Sequence, residues 1–277
     1  MRLSISNIAW DPAEDTEIAK LLKNYHINAI DIAPSKYFSN FFTTGKSEIV
    51  AIKNYWLDHG IELVGMQSLL FGTQGLNIFG SPSVQAALLK HLAAVCRISA
   101  ILGISRLVFG SPKNRDRTGL DDEEALTQAI DFFRRLGNIA LHEGVVFCLE
   151  PNPICYGSNF MTSSCETAQV VMHVNHPAIR MQLDTGALLI NDESIEPLLN
   201  KHAHLIAHIH VSEPGLVPLG DLTTNHSVLF HALKKHLPNH IASIEMLATK
   251  NEPHTVSIER ALIHAITHYR PEESFFI

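Results

Sequence analysis

The chain has 277 residues, of which 46% are hydrophobic and 18% charged, and its formal net charge is −7 at pH 7. This composition supports a large apolar core and excludes the disordered, collagen-like and low-complexity classes. The negative net charge argues against a surface that binds nucleic acid through phosphate contacts. The 17 histidines are more informative, because histidine both ligates metals and titrates near neutral pH.

Short β-branched apolar runs alternate with longer amphipathic stretches from one end of the chain to the other. The pattern predicts eight strands, at residues 3–9, 29–32, 62–66, 106–109, 145–150, 180–184, 206–211 and 242–246. It predicts eight helices between and after them, at residues 13–24, 46–59, 82–102, 122–143, 164–174, 194–201, 226–236 and 255–268. Such alternation gives parallel strands joined by right-handed crossovers. Eight units favour an α/β fold of the (β/α)8 TIM barrel type over an open doubly wound sheet.

No linker rich in proline, glycine or serine divides the sequence, and the stretch most like an insertion, residues 71–82, is only one long connection. We therefore predict a single domain over residues 1–277. A charged residue lies close to the N-terminus, and the sequence has no apolar run of about 20 residues. We therefore expect no signal peptide and no membrane span. Four cysteines without a CxxC pair are typical of reduced thiols, which favours a cytoplasmic protein.

Polar residues mark the ends of the last four predicted strands, where a TIM barrel builds its active site. Glu150, Asp184, His210 and Glu245 stand at matching positions 34, 26 and 35 residues apart, about one strand-and-helix unit each. Taken singly, such an acid usually caps a helix or pairs with a cation. Four such residues together are harder to explain in that way, because unpaired carboxylates that converge would repel one another unless a cation bound them. Three carboxylates and one imidazole favour one divalent ion, Mn²⁺, Mg²⁺ or Co²⁺, and admit Zn²⁺.

Side chains alternate along a strand, so residues two positions before these ligands should point into the barrel one layer lower. Gln182 and His208 are the polar examples. They could orient the ligand carboxylates as outer-shell groups, or they could simply pack in the interior with satisfied hydrogen bonds.

These strand ends resemble the xylose isomerase-like barrels, a superfamily that contains sugar isomerases, sugar epimerases and endonuclease IV. The resemblance rests on Leu-Glu-Pro-Asn-Pro at 149–153, Gln-Leu-Asp-Thr-Gly at 182–186, His-Ile-His-Val-Ser-Glu at 208–213 and Ser-Ile-Glu-Met at 243–246. These segments are similar to the metal-bearing strands of the tagatose 3-epimerase group. The resemblance implies that Glu150, Asp184, His210 and Glu245 hold the ion. It also implies that Glu150 and Glu245 exchange a proton next to a carbonyl, through an enediolate.

Three positions depart from the pattern of that group: Ala187 stands where it has a His, Tyr156 where it has a Glu, and Leu216 where it has an Arg. The metal-binding residues match, whereas the substrate-binding residues do not. The resemblance therefore leaves open which sugar or sugar phosphate is used. It also leaves open whether the enzyme is an isomerase, an epimerase or a dehydratase of a keto-polyol.

Several residues near the predicted strand ends are candidates for binding substrate. Trp10 could stack on a sugar or pack under its own loop, and Glu213 could bind a hydroxyl or pair with a cation. Lys113 and Arg115 lie in a basic loop that could bind an anionic group or remain solvated. The full candidate set is Trp10, Gln67, Lys113, Arg115, Tyr156 and Glu213.

Two other functions remain as alternatives to a sugar isomerase. An endonuclease IV-like phosphodiesterase needs more histidines on strands three, four and six, where this chain has Gln67, Gly110, Ser111 and Ala187. A non-catalytic sugar-binding barrel would not need a complete metal site. We expect a small carbohydrate or sugar phosphate as substrate, no nucleic acid and no membrane partner, and leave homo-oligomerisation open.

Overall fold

The eight strands form a closed parallel barrel in chain order in the computed structural model, which describes residues 1–271. Leu3 in the first strand lies opposite Ala242 in the last, so these two strands complete the ring. The predicted TIM barrel is therefore confirmed. The strands are β1 (Arg2–Ser6), β2 (Ala29–Ile32), β3 (Glu62–Met66), β4 (Arg106–Phe109), β5 (Val146–Leu149), β6 (Ile179–Asp184), β7 (Ile206–Ser212) and β8 (Ile241–Glu245).

The helices form an outer layer around the barrel. Within the described residues they are α1 (Asp15–Asn24), α2 (Lys46–Asp58), α3 (Pro82–Leu102), α4 (Asp122–His142), α5 (Ser164–Val174), α6 (Thr185–Ile190), α7 (Ile195–His202), α8 (His226–His236) and α9 (His254–Tyr269). All eight predicted helices are present. The short α6 is additional, because six residues are too few for a helical period to show in the sequence.

The first strand is shorter than predicted. It ends at Ser6, and residues Asn7–Ala9 form a 3₁₀ turn. The Ser6 hydroxyl accepts a hydrogen bond from the Ile8 amide at 3.4 Å, while the Asn7 side chain accepts one from the Ala33 amide at 2.7 Å. These two polar side chains turn the chain where hydrophobicity alone predicts a longer strand.

Helix α3 is long and apolar enough to cross a membrane by length and composition, and it is the one such helix in residues 1–271. From the sequence we expect no membrane span, whereas α3 has the length and composition of one. In the structure α3 packs between α2 and α4 in the outer layer, and its residues Leu88, Leu92 and Val95 are buried. This apolar face belongs to the core of the fold.

Aromatic side chains fill the space between β4 and α4. Phe133 is fully buried and contacts Phe109 and Phe132 edge to face, with ring centroids 5.5 and 5.7 Å apart. We expect Phe133→Ala to lower the free energy of unfolding by about 3–5 kcal/mol, because it removes buried area and leaves a cavity. Leu141→Ala on the same helix is the control: this side chain is 57% exposed. It should change stability by no more than about 0.5 kcal/mol in chemical denaturation. Equal effects of the two substitutions would contradict this account of the core.

Candidate active site

The carboxyl ends of β5 to β8 bring four potential metal ligands together at one mouth of the barrel. One donor atom each from Glu150, Asp184, His210 and Glu245 lies within 4.8 Å of the other three. His210 Nδ1 is 3.3 Å from Glu245 Oε2 and 3.6 Å from Glu150 Oε1. All four residues are buried, and His210 completely so. Their arrangement depends on the barrel, since they come from four successive strands.

The electrostatics of this cluster fit a bound cation. Burial, together with Glu245 and Glu150, raises the pKa of Asp184 to about 8. Burial alone would lower the pKa of His210, but the carboxylates of Glu245, Asp31 and Glu150 raise this pKa well above its ordinary value. In the absence of a cation the cluster therefore retains protons at neutral pH. A divalent ion can replace these protons and favour the ionised carboxylates.

The donor atoms also have the chemistry of a metal site. The buried His210 Nδ1 makes no hydrogen bond. Asp184 Oδ1 accepts hydrogen bonds from Ser212 Oγ and the Ala187 amide, each at 2.8 Å, and Gln67 Nε2 donates to Glu245 Oε1 at 2.6 Å. Each of these carboxylates is thus oriented by protein donors. Three carboxylates and one imidazole suit Mn²⁺, Mg²⁺, Co²⁺ or Zn²⁺.

Glu150 is positioned by what surrounds its backbone and its carboxylate. The Arg115 guanidinium is completely buried, and its NH1 donates to the Glu150 carbonyl oxygen at 2.6 Å. A Cβ atom at Gly110 would lie only 1.7 Å from Glu150 Oε2. A glycine at this end of β4 therefore leaves the space that the Glu150 carboxylate occupies.

Asp31 is a functional candidate that the sequence reasoning missed. It lies on β2, is completely buried, and accepts a hydrogen bond from His208 Nε2 at 2.6 Å. Its Oδ2 also lies 3.4 Å from His210 Nε2. Burial alone would raise the pKa of Asp31, but His208 and His210 hold it well below its usual range. His210 therefore faces the carboxylate cluster with one ring nitrogen and a buried acid with the other, which is how outer-shell acids orient ligand histidines.

The sequence does contain a signal for Asp31. It is the one charged residue in the strand Ala29–Ile32, whose four residues are all buried. A buried carboxylate needs a partner, so this residue could have been paired with a histidine of the barrel interior. Gly65 on β3 supplies the space, since a Cβ atom there would lie 2.4 Å from Asp31 Oδ1.

The structure separates the six predicted substrate-binding residues into two groups. Gln67, Tyr156 and Glu213 line cavities at the cluster. Trp10 is completely buried and donates its indole N–H to Asp15 at 2.7 Å, so no ring face is open to a sugar. Arg115 is completely buried as well and donates hydrogen bonds to the backbone carbonyl oxygens of Glu150 and Gly110.

Lys113 is exposed and lines neither cavity. The carboxylate of Glu213 is buried and accepts from the Gly220 amide and His226 Nε2, both at 3.1 Å, and from the Thr224 hydroxyl. Burial would raise the pKa of Glu213, but its hydrogen bonds to His226 and Thr224 lower it. Glu213 therefore holds the loop between β7 and α8 in place.

The two predicted outer-shell residues differ in their surroundings. His208 contacts Asp31 and reaches His210 through it. Gln182 is completely buried, and its amide atoms make no hydrogen bond to the described part of the chain. The barrel interior beneath the cluster is therefore polar.

Residues 14–267 match the model of the xylose isomerase-like TIM barrel family, so the chain belongs to that family. A D-psicose 3-epimerase crystallised with D-fructose is similar in structure, with a TM-score of 0.81 and 15% identity over 97% of this chain and 99% of that one. The D-psicose 3-epimerase of Clostridium cellulolyticum H10, solved with D-tagatose, has a TM-score of 0.80 and 16% identity, covering 98% and 99%.

The IOLI protein, solved with a bound zinc atom, has a TM-score of 0.75 and 15% identity over 98% of this chain and 99% of that one. At such identities the likeness shows the shared fold. A comparison with curated protein sequences found no match.

The space left by Gly110 should matter for metal binding. We expect Gly110→Ala to weaken Mn²⁺ binding at least about tenfold in calorimetric titration, because the added Cβ displaces the Glu150 carboxylate. Gly45→Ala is the matched control, since its nearest neighbour would be Ser47 Oγ at 3.9 Å. Unchanged affinity in a folded Gly110→Ala protein would show that Glu150 does not contribute to the metal site.

Proposed function

We propose that the protein is a divalent metal-dependent sugar isomerase or epimerase that moves a proton at a carbon next to a carbonyl. The observation that carries the proposal is the position of Glu150 and Glu245. Both belong to the four-residue cluster, and they are the two residues shared by the linings of both cavities at the barrel mouth. A substrate that extends from one cavity to the other must pass these two carboxylates.

The two glutamates have the chemistry of an acid and base pair. Burial would raise the pKa of Glu245, but His210 and Gln67 lower it, so the Glu245 carboxylate is ionised and can accept a proton. In the proposed step the α C–H bond breaks and its proton passes to the Glu245 carboxylate. Glu150, in its protonated form, then donates its own proton to the enediolate carbon, and proton exchange with solvent restores both groups. When bound, a divalent ion supplies positive charge for the substrate oxygens that gain electron density.

Glu150, Asp184, His210 and Glu245 are the proposed ligands, with Mn²⁺, Mg²⁺ or Co²⁺ ahead of Zn²⁺ because most donors are oxygens. Asp31 and His208 are proposed to orient His210. We further propose a small carbohydrate as substrate and the cytoplasm as location, in keeping with the four free cysteines. No histidine lines either cavity in the described part of the chain, which favours an isomerase over a phosphodiesterase with several metals.

The metal proposal is tested by analysis of the purified protein. We expect one Mn²⁺, Mg²⁺ or Co²⁺ per chain, and loss of activity when a chelator removes it, with recovery when the ion returns. An Asp184→Ala variant should lose most of this metal binding, because it removes one of the four proposed ligands and the other three cannot replace it. Metal content that is unchanged in the Asp184→Ala protein would place the ion elsewhere.

The acid and base roles are tested by replacing each glutamate with glutamine. Glu150→Gln and Glu245→Gln should each lower kcat about 10²–10⁴-fold, the range of general acid–base catalysis, while much of the metal is retained. The assay is deuterium uptake at the α-carbon of ketoses in heavy water, with product analysis to separate isomerase, epimerase and dehydratase. Glu17→Gln, on the exposed side of α1, is the control and should leave the rate unchanged. Near wild-type rates in either active-site variant would exclude the two-glutamate mechanism.

A further inference from the structure

Two cavities meet at Glu150 and Glu245. The smaller, about 220 Å³, lies between residues 67–71 and 108–111, and we call it the Gln67 cavity. The larger, about 360 Å³, lies among the loops that follow β5, β6, β7 and β8, and we call it the Tyr156 cavity. Because both open onto the proposed acid and base, their linings decide which substrate the site accepts.

Neither cavity offers a partner for an anion. Of the described residues that line the two cavities, none is a lysine, an arginine or a histidine. In the nearby basic loop, Lys113 is exposed and lines neither cavity, and Arg115 donates to backbone carbonyl oxygens. Arg117 bonds to the Asn159 carbonyl oxygen and to Asp122. The charged residues in the two linings are all acidic, namely Glu150, Asp184, Glu213 and Glu245. A phosphate group would therefore meet repulsion without a charged hydrogen-bond donor.

The Tyr156 cavity has an apolar wall in addition to its polar residues, which are Glu150, Asn152, Asp184, Ser212, Glu213 and Glu245. Its lining includes Pro112, Pro151, Pro153, Ala187, Leu216 and Leu247. The Tyr156 hydroxyl accepts a hydrogen bond from the Gly215 amide at 2.7 Å and keeps its own O–H as a donor. The six proline, alanine and leucine side chains offer no donor, and proline also has no backbone N–H. A hydroxyl buried against these side chains would lose its bonds to water without full replacement.

The apolar lining continues to the opening of the cavity. Tyr156 and Leu247 both line it, and they are 41% and 51% exposed to solvent. Large apolar side chains that remain exposed at the mouth of a cavity gain free energy when a ligand covers them. Tyr156, Ala187 and Leu216, the three departures from the epimerase pattern, all line this one cavity. The three differences therefore change the same part of the substrate site.

We infer that the substrate is an uncharged α-hydroxy ketone in which a terminal methyl group replaces a hydroxymethyl group, and that this methyl group occupies the Tyr156 cavity. The inference rests on the proposed function for the α-hydroxy ketone part. Its methyl part rests independently on the cavity lining. A deoxy ketose fits both the acidic centre and the apolar wall, whereas a sugar phosphate fits neither.

The test uses the Mn²⁺-loaded protein and D-fructose, D-tagatose and D-psicose, each with its 1-deoxy and 6-deoxy analogues and its 1- and 6-phosphates. Binding is measured by calorimetric titration and turnover by deuterium uptake. For at least one sugar we expect a deoxy analogue to exceed its parent about 10- to 100-fold in kcat/KM, the range for a small group in an apolar pocket. The phosphates should show no turnover.

A substitution in the lining of the Tyr156 cavity tests the inference independently. Leu216→Arg adds a cation to the Tyr156 cavity and should reduce the preference for the deoxy analogue at least about tenfold while it improves phosphate binding. Leu222→Arg, on the same loop but outside the lining of this cavity, should leave the preference unchanged. Equal effects of the two variants would mean that the Tyr156 cavity does not bind the methyl group.

The outcomes separate this inference from the proposed function. If parent sugars or phosphates exchange deuterium as fast as the deoxy analogues, the isomerase proposal stands and the deoxy inference is overturned. If a deoxy analogue binds at least about tenfold more tightly than its parent but nothing exchanges deuterium, the assignment of the methyl group to the Tyr156 cavity stands and the proposed function fails. If no deoxy analogue binds better than its parent, the inference is overturned whatever the activity.

Discussion

The mutual repulsion of three carboxylates around one imidazole is the constraint on which this site depends. Glu150, Asp184 and Glu245 would separate in water, but the barrel holds them within reach of His210. Parallel strands in a closed sheet lie about 4.8 Å apart, which brings side chains at successive strand ends into contact. The closed barrel thus holds together four side chains that are far apart in the sequence.

The repulsion explains why the neighbouring groups are arranged as they are. Gln67 and Ser212 donate hydrogen bonds to carboxylates of the cluster. The Arg115 guanidinium donates one to the backbone carbonyl oxygen of Glu150. Asp31 contacts the opposite side of His210. The cluster is therefore held mainly by groups on strands and buried turns. Such support is more rigid than exposed loops would provide, and rigidity favours a fixed ligand geometry.

Much of the fold was predictable because its signals repeat. The alternation of apolar runs and amphipathic stretches occurs eight times, and each occurrence supports the others. The convergence of Glu150, Asp184, His210 and Glu245 follows from the same regularity, since the ends of parallel strands meet at one face. Asp31 does not follow from this regularity, because it lies within the apolar strand Ala29–Ile32 and not after the end of a strand.

Residues in turns were harder to place for a physical reason. The direction of a side chain is fixed by the period in a strand or helix, but in a turn it depends on local hydrogen bonds. Trp10 follows a 3₁₀ turn and is directed inward by its bond to Asp15, and Arg115 follows another and donates to buried carbonyls. The hydrophobic periodicity of the sequence does not predict either of these hydrogen bonds. The polarity of a loop residue therefore does not reveal whether it faces a ligand or the protein.

Asp184 shows how closely the fold and the proposed chemistry are joined. Its Oδ1 caps the first turn of α6 and accepts from Ser212, so Oδ2 is the oxygen that an ion would take. In the proposed site this one side chain would both cap a helix and bind the ion, so two conservative substitutions should fail for different reasons. Asparagine could keep the cap but would lose the charge, and glutamate would keep the charge but is one methylene too long for the cap. Among these three side chains, aspartate alone combines the cap with the charge that an ion would need.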